Sequence, residues 1–139
     1  MPDRPAEPEP LHRGRCACGQ LEVTIRGPLP STSMCHCRAC QRRTGSVFGV
    51  QLRVPEDRFA CTGELSFFTR QGEEGEVTFR FCPRCGSTVW WTLDGLPGSV
   101  SIAAGALAGS PIPPPTFSVY EERMPPWVSL PESIETHWD

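Results

Sequence analysis

Eight cysteines carry the most distinctive chemistry in this chain of 139 residues, and seven of them stand in three short clusters. Cys16 and Cys18 form a CxC pair, and Cys82 and Cys85 form a CxxC pair that is followed by Gly86. The CxxC sequence is typical of a zinc knuckle, in which two thiolates lie on a tight turn and a glycine adopts a positive φ. Because a structural zinc takes four ligands, the two pairs together predict one four-cysteine site that closes a long loop. The alternative is a disulfide or buried free thiols.

The third cluster supplies three thiolates within six residues, at Cys35, Cys37 and Cys40. Three protein ligands leave one position of a tetrahedral zinc open, as in catalytic sites. The alternative is a closed structural site with a fourth ligand from elsewhere in the chain. The candidates for that ligand are Cys61, His12, His36 and His137. His36 is the poorest of them, because it stands between two ligands and neighbouring side chains point apart. The residues alone support an open and a closed site equally.

A zinc ion held by three thiolates carries about one net negative charge, by counting ligand charges. Such a metal suits the binding of an incoming thiol as a thiolate, which is the reactive form of sulfur. The predicted chemistry is therefore attack of a substrate thiol on a small carbonyl carbon, or its release from that carbon. Arg38, Arg42 and Arg43 could hold the carboxylates of an acidic thiol. The simpler interpretation is that they offset the charge of the site or lie in solvent.

The composition of the chain argues against several other classes of function. All thirteen basic residues are arginines, so no lysine is present to form a Schiff base. The net charge of −3 and the lack of a basic stripe argue against nucleic-acid binding. No apolar run is long enough for a membrane span, so no membrane partner is expected. The first ten residues lack the apolar segment of a signal peptide, which makes the cytoplasm the expected location. In that reducing compartment, cysteine clusters indicate metal sites rather than disulfides.

Short runs with a period of two, bounded by Gly, Pro or Asp, predict a mainly β, antiparallel fold. The seven predicted strands cover residues 21–26, 48–54, 65–70, 76–81, 87–93, 100–104 and 116–120. Residues 36–43 are predicted to form at most one helical turn. One domain is expected over residues 13–132, with a disordered Pro- and Glu-rich tail over residues 1–12 and a C-terminal tail over residues 133–139.

Several other side chains are candidates for structural or functional roles. Trp90 and Trp91 are adjacent on one predicted strand and must point to opposite faces, one into the core and the other to the surface or to a pocket near the CxxC pair. Trp127 is predicted to anchor the C-terminal segment on the sheet. Thr44 and Ser46 either donate hydrogen bonds to a zinc thiolate or simply form a turn.

Four stretches, in this order along the chain, resemble the glutathione-dependent formaldehyde-activating (GFA) family. They are residues 14–19 (GRCACG), 35–45 (CHCRACQRRTG), 81–87 (FCPRCGS) and 124–127 (MPPW). The resemblance implies a β-tent fold of short β-hairpins around zinc. It also implies a structural zinc on the four cysteines of the two pairs and a second, active-site zinc on the CxCxxC cluster. The implied ligands are Cys16, Cys18, Cys82 and Cys85 for the first ion, and Cys35, Cys37 and Cys40 for the second.

The activity implied by this resemblance is that of a carbon–sulfur lyase, which combines glutathione with formaldehyde into S-hydroxymethylglutathione. The expected cofactor is zinc, at two ions per chain, and the expected partners are a small thiol and a small aldehyde. Cys35, Cys37 and Cys40 are then the catalytic site. The alternative is a non-catalytic β-tent module that binds another protein and has two closed zinc sites. The two hypotheses differ in whether a thiol can reach the second metal.

Overall fold

The computed structural model describes residues 9–73 and 75–139, and two β-sheets form the framework of these residues. Within these ranges the chain forms eleven strands and one α-helix, α1, over Arg38–Thr44. The strands are β1 (Leu11–Arg15), β2 (Glu22–Arg26), β3 (Thr32–Cys35), β4 (Gly49–Pro55), β5 (Phe59–Thr62), β6 (Ser66–Gly72), β7 (Gly75–Phe81), β8 (Thr88–Leu93), β9 (Ser99–Ala103), β10 (Pro115–Val119) and β11 (Thr136–His137). No helix in the described part of the chain has the length and apolar character needed to cross a membrane.

The smaller sheet has the order β1-β2-β5, and the larger has the order β11-β10-β3-β4-β9-β8-β7-β6. Neighbouring strands are antiparallel except β10, which runs parallel to both β3 and β11. The prediction of a mainly β fold with antiparallel hairpins is therefore confirmed. The parallel pairing brings the last third of the chain beside the strand that ends in Cys35.

The core lies between the smaller sheet and the middle strands of the larger one. Val23 and Ile25 of β2 are fully buried, as their alternation with polar residues predicts. They share a cluster with Leu52 of β4, Ile102 of β9 and Leu107. Each side chain of this size stabilises the fold by about 1.5–3 kcal/mol when it is fully buried. This core fixes the two sheets relative to each other, and with them the turns that carry cysteines.

Each of the seven predicted strands overlaps an observed one, but four observed strands were not predicted. All four residues of β3 are buried, so the strand lacks the alternation that reveals a half-exposed strand. In contrast, β1 exposes three of its five residues and β5 two of its four, at the surface of the smaller sheet. The remaining one, β11, is only two residues long.

The chain ends differ from the predicted boundaries. Residues 1–8 of the predicted N-terminal tail lie outside the described residues, but Leu11 and His12 belong to β1 and pair with β2. The predicted C-terminal tail contains β11 and the buried side chain of Ile134. Residues 11 and 12 and residues 134–137 therefore belong to the folded domain.

Gly63, which follows β5, allows a close approach of two chain segments. Its φ is 104°, and a Cβ there would lie 2.2 Å from the backbone oxygen of Gln20. We expect Gly63→Ala to lower the free energy of unfolding by about 2–3 kcal/mol, because the strained backbone and the clash add. Denaturant unfolding measures the change. Gly105→Ala is the matched control, since a Cβ there meets nothing within 4 Å. Equal stability of the two variants would contradict the close approach.

Two candidate metal centres and the cavity beside one of them

The four-cysteine cluster brings together the β1–β2 turn, which carries Cys16 and Cys18, and the β7–β8 turn, which carries Cys82 and Cys85. All four Sγ atoms lie within 4.8 Å of one another. The Sγ atom of Cys18 lies 3.6 Å from that of Cys16 and 3.7 Å from that of Cys82. Tetrahedral zinc with Zn–S bonds of about 2.3 Å places its sulfur atoms about 3.8 Å apart. The arrangement therefore fits a closed zinc site.

Both turns have the geometry of zinc knuckles. Gly19 and Gly86 take φ values of 85° and 81°, as predicted for Gly86. The Gly19 amide donates to the carbonyl of Cys16, and the Gly86 amide to that of Cys82. The two tight turns direct the sulfur atoms of each pair to the same point.

Hydrogen-bond donors surround the sulfur atoms of this cluster. Gln20 Nε2 donates to Cys82 Sγ at 2.9 Å, and the Leu21 amide donates to Cys16 Sγ at 3.3 Å. Hydrogen bonding with Ser87 lowers the pKa of Cys85 to about 5. Because thiolates rather than thiols ligate metals, these contacts favour the ligating form of Cys82 and Cys85.

The second cluster is local in sequence and lies where β3 meets α1. Cys35 ends β3, Cys37 is the N-cap residue of α1, and Cys40 lies in the first turn of the helix. The Cys37 side chain accepts a hydrogen bond from the Cys40 amide, with an N–S distance of 3.3 Å, and so satisfies a backbone donor at the helix start. The three Sγ atoms lie within 4.8 Å of one another, and Cys35 and Cys37 are buried.

The arrangement of the three thiols favours ionisation of Cys37. Hydrogen bonds from Cys35 and Cys40 lower the pKa of Cys37 to about 2, and the charge of Arg70 acts in the same direction. The pKa of Cys35 is raised, first by its hydrogen bonds to Cys37 and Cys40 and then by burial. The cluster thus stabilises a thiolate at its centre, which is the form a metal requires.

None of the four candidate fourth ligands joins the three cysteines in the described structure. His36 is fully buried, and its Nε2 atom lies 2.9 Å from Ser118 Oγ of β10. Cys61 lies in the smaller sheet, His12 in β1, and His137 pairs with Glu121 at the surface. Within residues 9–73 and 75–139, the ligand set is therefore three cysteines, which leaves one position of a tetrahedral metal open.

The residues that end α1 form a turn. Gly45 has a φ of 73°, and its amide donates to the Gln41 carbonyl. Thr44 Oγ1 donates to the Cys40 carbonyl and accepts from the Ser46 amide. These hydrogen bonds of Thr44 are those of a turn, which was one of its two predicted roles.

A cavity of about 370 Å³ opens beside the second cluster and includes all three of its cysteines in the wall. Aromatic residues from several strands form much of the remaining wall, namely Phe79, Trp91, Phe117 and Tyr120. Four arginines and one glutamate supply its charge, namely Arg38, Arg53, Arg70, Arg123 and Glu73. A cavity of this size suits a small ligand, and its charge favours an anionic one.

Sequence reasoning found only one of the four cavity arginines. Arg38 lines the cavity, where it could bind a substrate carboxylate, which was one of its two predicted roles. Arg42 is exposed and lies outside the cavity. Arg53 and Arg70 come from β4 and β6, and Arg123 follows β10. These three are distant from the cysteines in sequence, so only the strand order reveals them.

The tryptophans are placed differently from the prediction in two respects. Trp91 is buried and lines the cavity beside the CxCxxC cluster rather than a pocket near the CxxC pair. Trp90 packs on Phe59, with ring centroids 4.8 Å apart. Trp127 is 74% exposed, so the prediction that it anchors the C-terminal segment on the sheet is wrong.

Comparisons with known proteins agree with this arrangement. A model of the family described as "Glutathione-dependent formaldehyde-activating enzyme" matches residues 11–123. A protein of Penicillium rubens, provisionally named as a glutathione-dependent formaldehyde-activating enzyme, is 28% identical over 74 residues, which are 53% of this chain and 39% of the relative. A protein of Talaromyces marneffei with the same provisional name is 27% identical over 71 residues, or 51% of this chain and 38% of that protein. The matches therefore span about two fifths of each fungal relative.

The fold has also been seen in a solved structure. A crystal structure of a Rhodobacter sphaeroides protein superposes with a TM-score of 0.58, covering 91% of this chain and 99% of that one. The two sequences are 16% identical, so this similarity shows the fold alone.

Proposed function

The chain belongs to the family of glutathione-dependent formaldehyde-activating enzymes, and from this premise we propose that it is a zinc-dependent carbon–sulfur lyase. Its substrates are a thiol such as glutathione and formaldehyde or a related small aldehyde. One observation supports this most strongly: three cysteines without a fourth ligand among the described residues line a cavity that holds four arginines.

We propose two zinc ions per chain. Cys16, Cys18, Cys82 and Cys85 hold the structural ion, and Cys35, Cys37 and Cys40 hold the second. Zinc at the second site would supply a position at which a substrate sulfur is kept as a thiolate. All eight cysteines are free thiols in the structure, which suits the reducing cytoplasm as the proposed location.

The cavity arginines bind the carboxylates of the thiol substrate. Glutathione carries two carboxylates, and a guanidinium fork matches a carboxylate with two parallel hydrogen bonds. Arg70 is well placed for this role, because its Cζ atom lies 5.4 Å from the Phe79 ring centroid and its charge acts on Cys37. The stacking on Phe79 limits the freedom of the side chain before the substrate arrives.

The reaction needs no oxidant or reductant. A bond forms between the thiol sulfur and the carbonyl carbon, the π bond of the carbonyl breaks, and the thiol proton ends on the oxygen. The product is a hydroxymethyl thioether, and the reverse reaction cleaves the same bond. Phe79 and Trp91 line the same cavity as the three cysteines, so these rings would limit the access of bulk water to a substrate sulfur bound there.

Two-dimensional exchange NMR between free glutathione and S-hydroxymethylglutathione tests the proposal. The adduct also forms spontaneously, so the rate in buffer is the reference. We expect exchange to accelerate in proportion to zinc-loaded protein and to return to the buffer rate when a chelator removes the metal. Cys61→Ser is the matched control, because Cys61 lies outside both clusters, and it should keep the acceleration. Exchange at the buffer rate at every protein concentration would refute the activity with this substrate pair.

A second candidate function, that of a zinc module that binds another protein, is favoured by aromatic side chains on β6. Phe67 and Phe68 are 69% and 60% exposed on a strand at the edge of the larger sheet. This candidate requires that no thiol reach the second metal. A cobalt-substituted protein whose thiolate charge-transfer bands do not respond to added glutathione would support it against the lyase.

A further inference from the structure

The guanidinium of Arg43 is partly buried without a conventional partner. Its Cζ atom lies 4.4 Å from the ring centroid of Trp91 and 5.8 Å from that of Phe79. Its Nε and Nη2 atoms are buried and have no hydrogen-bond partner, and no carboxylate of residues 9–73 and 75–139 lies within ion-pair distance of it. Desolvating a cation without a counter-charge is costly, so the position of this side chain calls for an anion nearby.

The second cysteine cluster, which becomes anionic when its thiols ionise, lies close to this guanidinium. Arg43 stands three residues after Cys40, on the same face of α1. A Cβ on Gly49 would lie 2.8 Å from Arg43 Nη2 and 3.5 Å from the Cβ atom of Cys40. The guanidinium and Cys40 therefore flank the same point, and the missing side chain of Gly49 leaves the space that lets Arg43 lie there.

We propose that Arg43 is the built-in counter-ion of the second metal centre. Three thiolates and a divalent zinc leave one net negative charge, and a bound substrate thiolate would raise it to two. The Arg43 charge opposes this accumulation from behind the cluster. Because Arg43 does not line the cavity that holds the three cysteines, it is a positioning residue and not a catalytic one. The inference rests on the proposed second zinc, but it does not require the aldehyde reaction.

The test is the zinc affinity of the second site. It is measured by competition with a chromophoric chelator after the structural site has been filled. Arg43→Gln should weaken zinc binding there about 10- to 100-fold, the usual effect of losing a supporting group around a metal. Arg43→Lys, which keeps the charge, should retain most of the affinity. Arg42→Gln is the matched control, since Arg42 is the exposed neighbour, and it should leave the affinity unchanged. Unchanged affinity in Arg43→Gln, or equal losses in Arg43→Gln and Arg43→Lys, would overturn the proposal.

A second variant tests the position of the guanidinium while Arg43 itself is retained. Gly49→Ala keeps Arg43 but places a Cβ 2.8 Å from its Nη2 atom, which is too close, so it should displace the guanidinium and weaken zinc binding in the same direction. The denaturation midpoint of each variant shows that the fold is retained. These measurements need no glutathione or aldehyde, so a protein that fails the exchange test can still confirm or refute the role of Arg43. Full affinity in Gly49→Ala would count against the proposed geometry.

Discussion

Cys82→Ser is expected to lower the free energy of unfolding by about 4 kcal/mol or more, which is a severe loss for a domain of this size. The Cys82 side chain is fully buried, and its Sγ atom accepts hydrogen bonds from Gln20 Nε2 and the Arg84 amide. It joins the β7–β8 turn of the larger sheet to the β1–β2 turn of the smaller one. Losing one of four ligands removes the metal that closes this long loop, and with it a major part of the folding energy.

Denaturant unfolding with zinc present, combined with metal analysis, measures this effect. Cys61→Ser is again the control, because it exchanges the same atom, sulfur for oxygen, outside both clusters and at a position that is only partly buried. It should change the free energy of unfolding by less than about 1 kcal/mol. A Cys82→Ser protein with the wild-type midpoint and full metal content would show that the four cysteines do not form a structural site.

Cys37→Ser is expected to abolish the acceleration of glutathione exchange while leaving the protein folded. Its metal content should fall from two zinc ions to one. The three cysteines of this cluster lie within six residues, so losing their metal opens no long loop and costs little stability. Serine is also a favourable N-cap residue, so the start of α1 is retained.

Exchange NMR, metal analysis and a denaturation midpoint together decide this prediction. The expected result is a buffer-like exchange rate, one zinc per chain and a midpoint close to that of the wild type. Full acceleration by a variant that binds a single zinc ion would show that the activity does not depend on this cluster. Loss of acceleration together with unfolding would mean that the cluster is structural.

The two cysteine clusters could be predicted from the sequence because each CxC, CxxC or CxCxxC group is local. The CxxCG sequence determines the conformation of its own turn, and the CxCxxC sequence places three sulfur atoms around the start of one helix. The cavity could not be predicted in this way. Arg53, Arg70 and Arg123 reach it from three separate elements, and a period of two shows which face a side chain takes but not which strand lies beside it.

The same limit explains the errors about particular side chains. Adjacent residues such as Trp90 and Trp91 must point to opposite faces, but the pattern does not say which face borders the cavity. Trp127 was predicted to anchor the C-terminal segment on the sheet, but its place after two prolines does not require a partner surface. The buried strand β3 escaped prediction because hydrogen bonds to β4 and β10 on its two sides, rather than alternation, define it.

The parallel pairing of β10 with β3 imposes an order on assembly during synthesis. Cys35, Cys37 and Cys40 leave the ribosome early and could bind a metal as soon as α1 forms, whereas the four-cysteine site must wait for Cys85. The strand that carries Val119 opposite Cys35 emerges later still, followed by Arg123. The nascent chain therefore has its thiol cluster long before the wall that encloses it. During that interval the edge of β3 that later pairs with β10 is unpaired, and Cys35 is more accessible than in the finished fold.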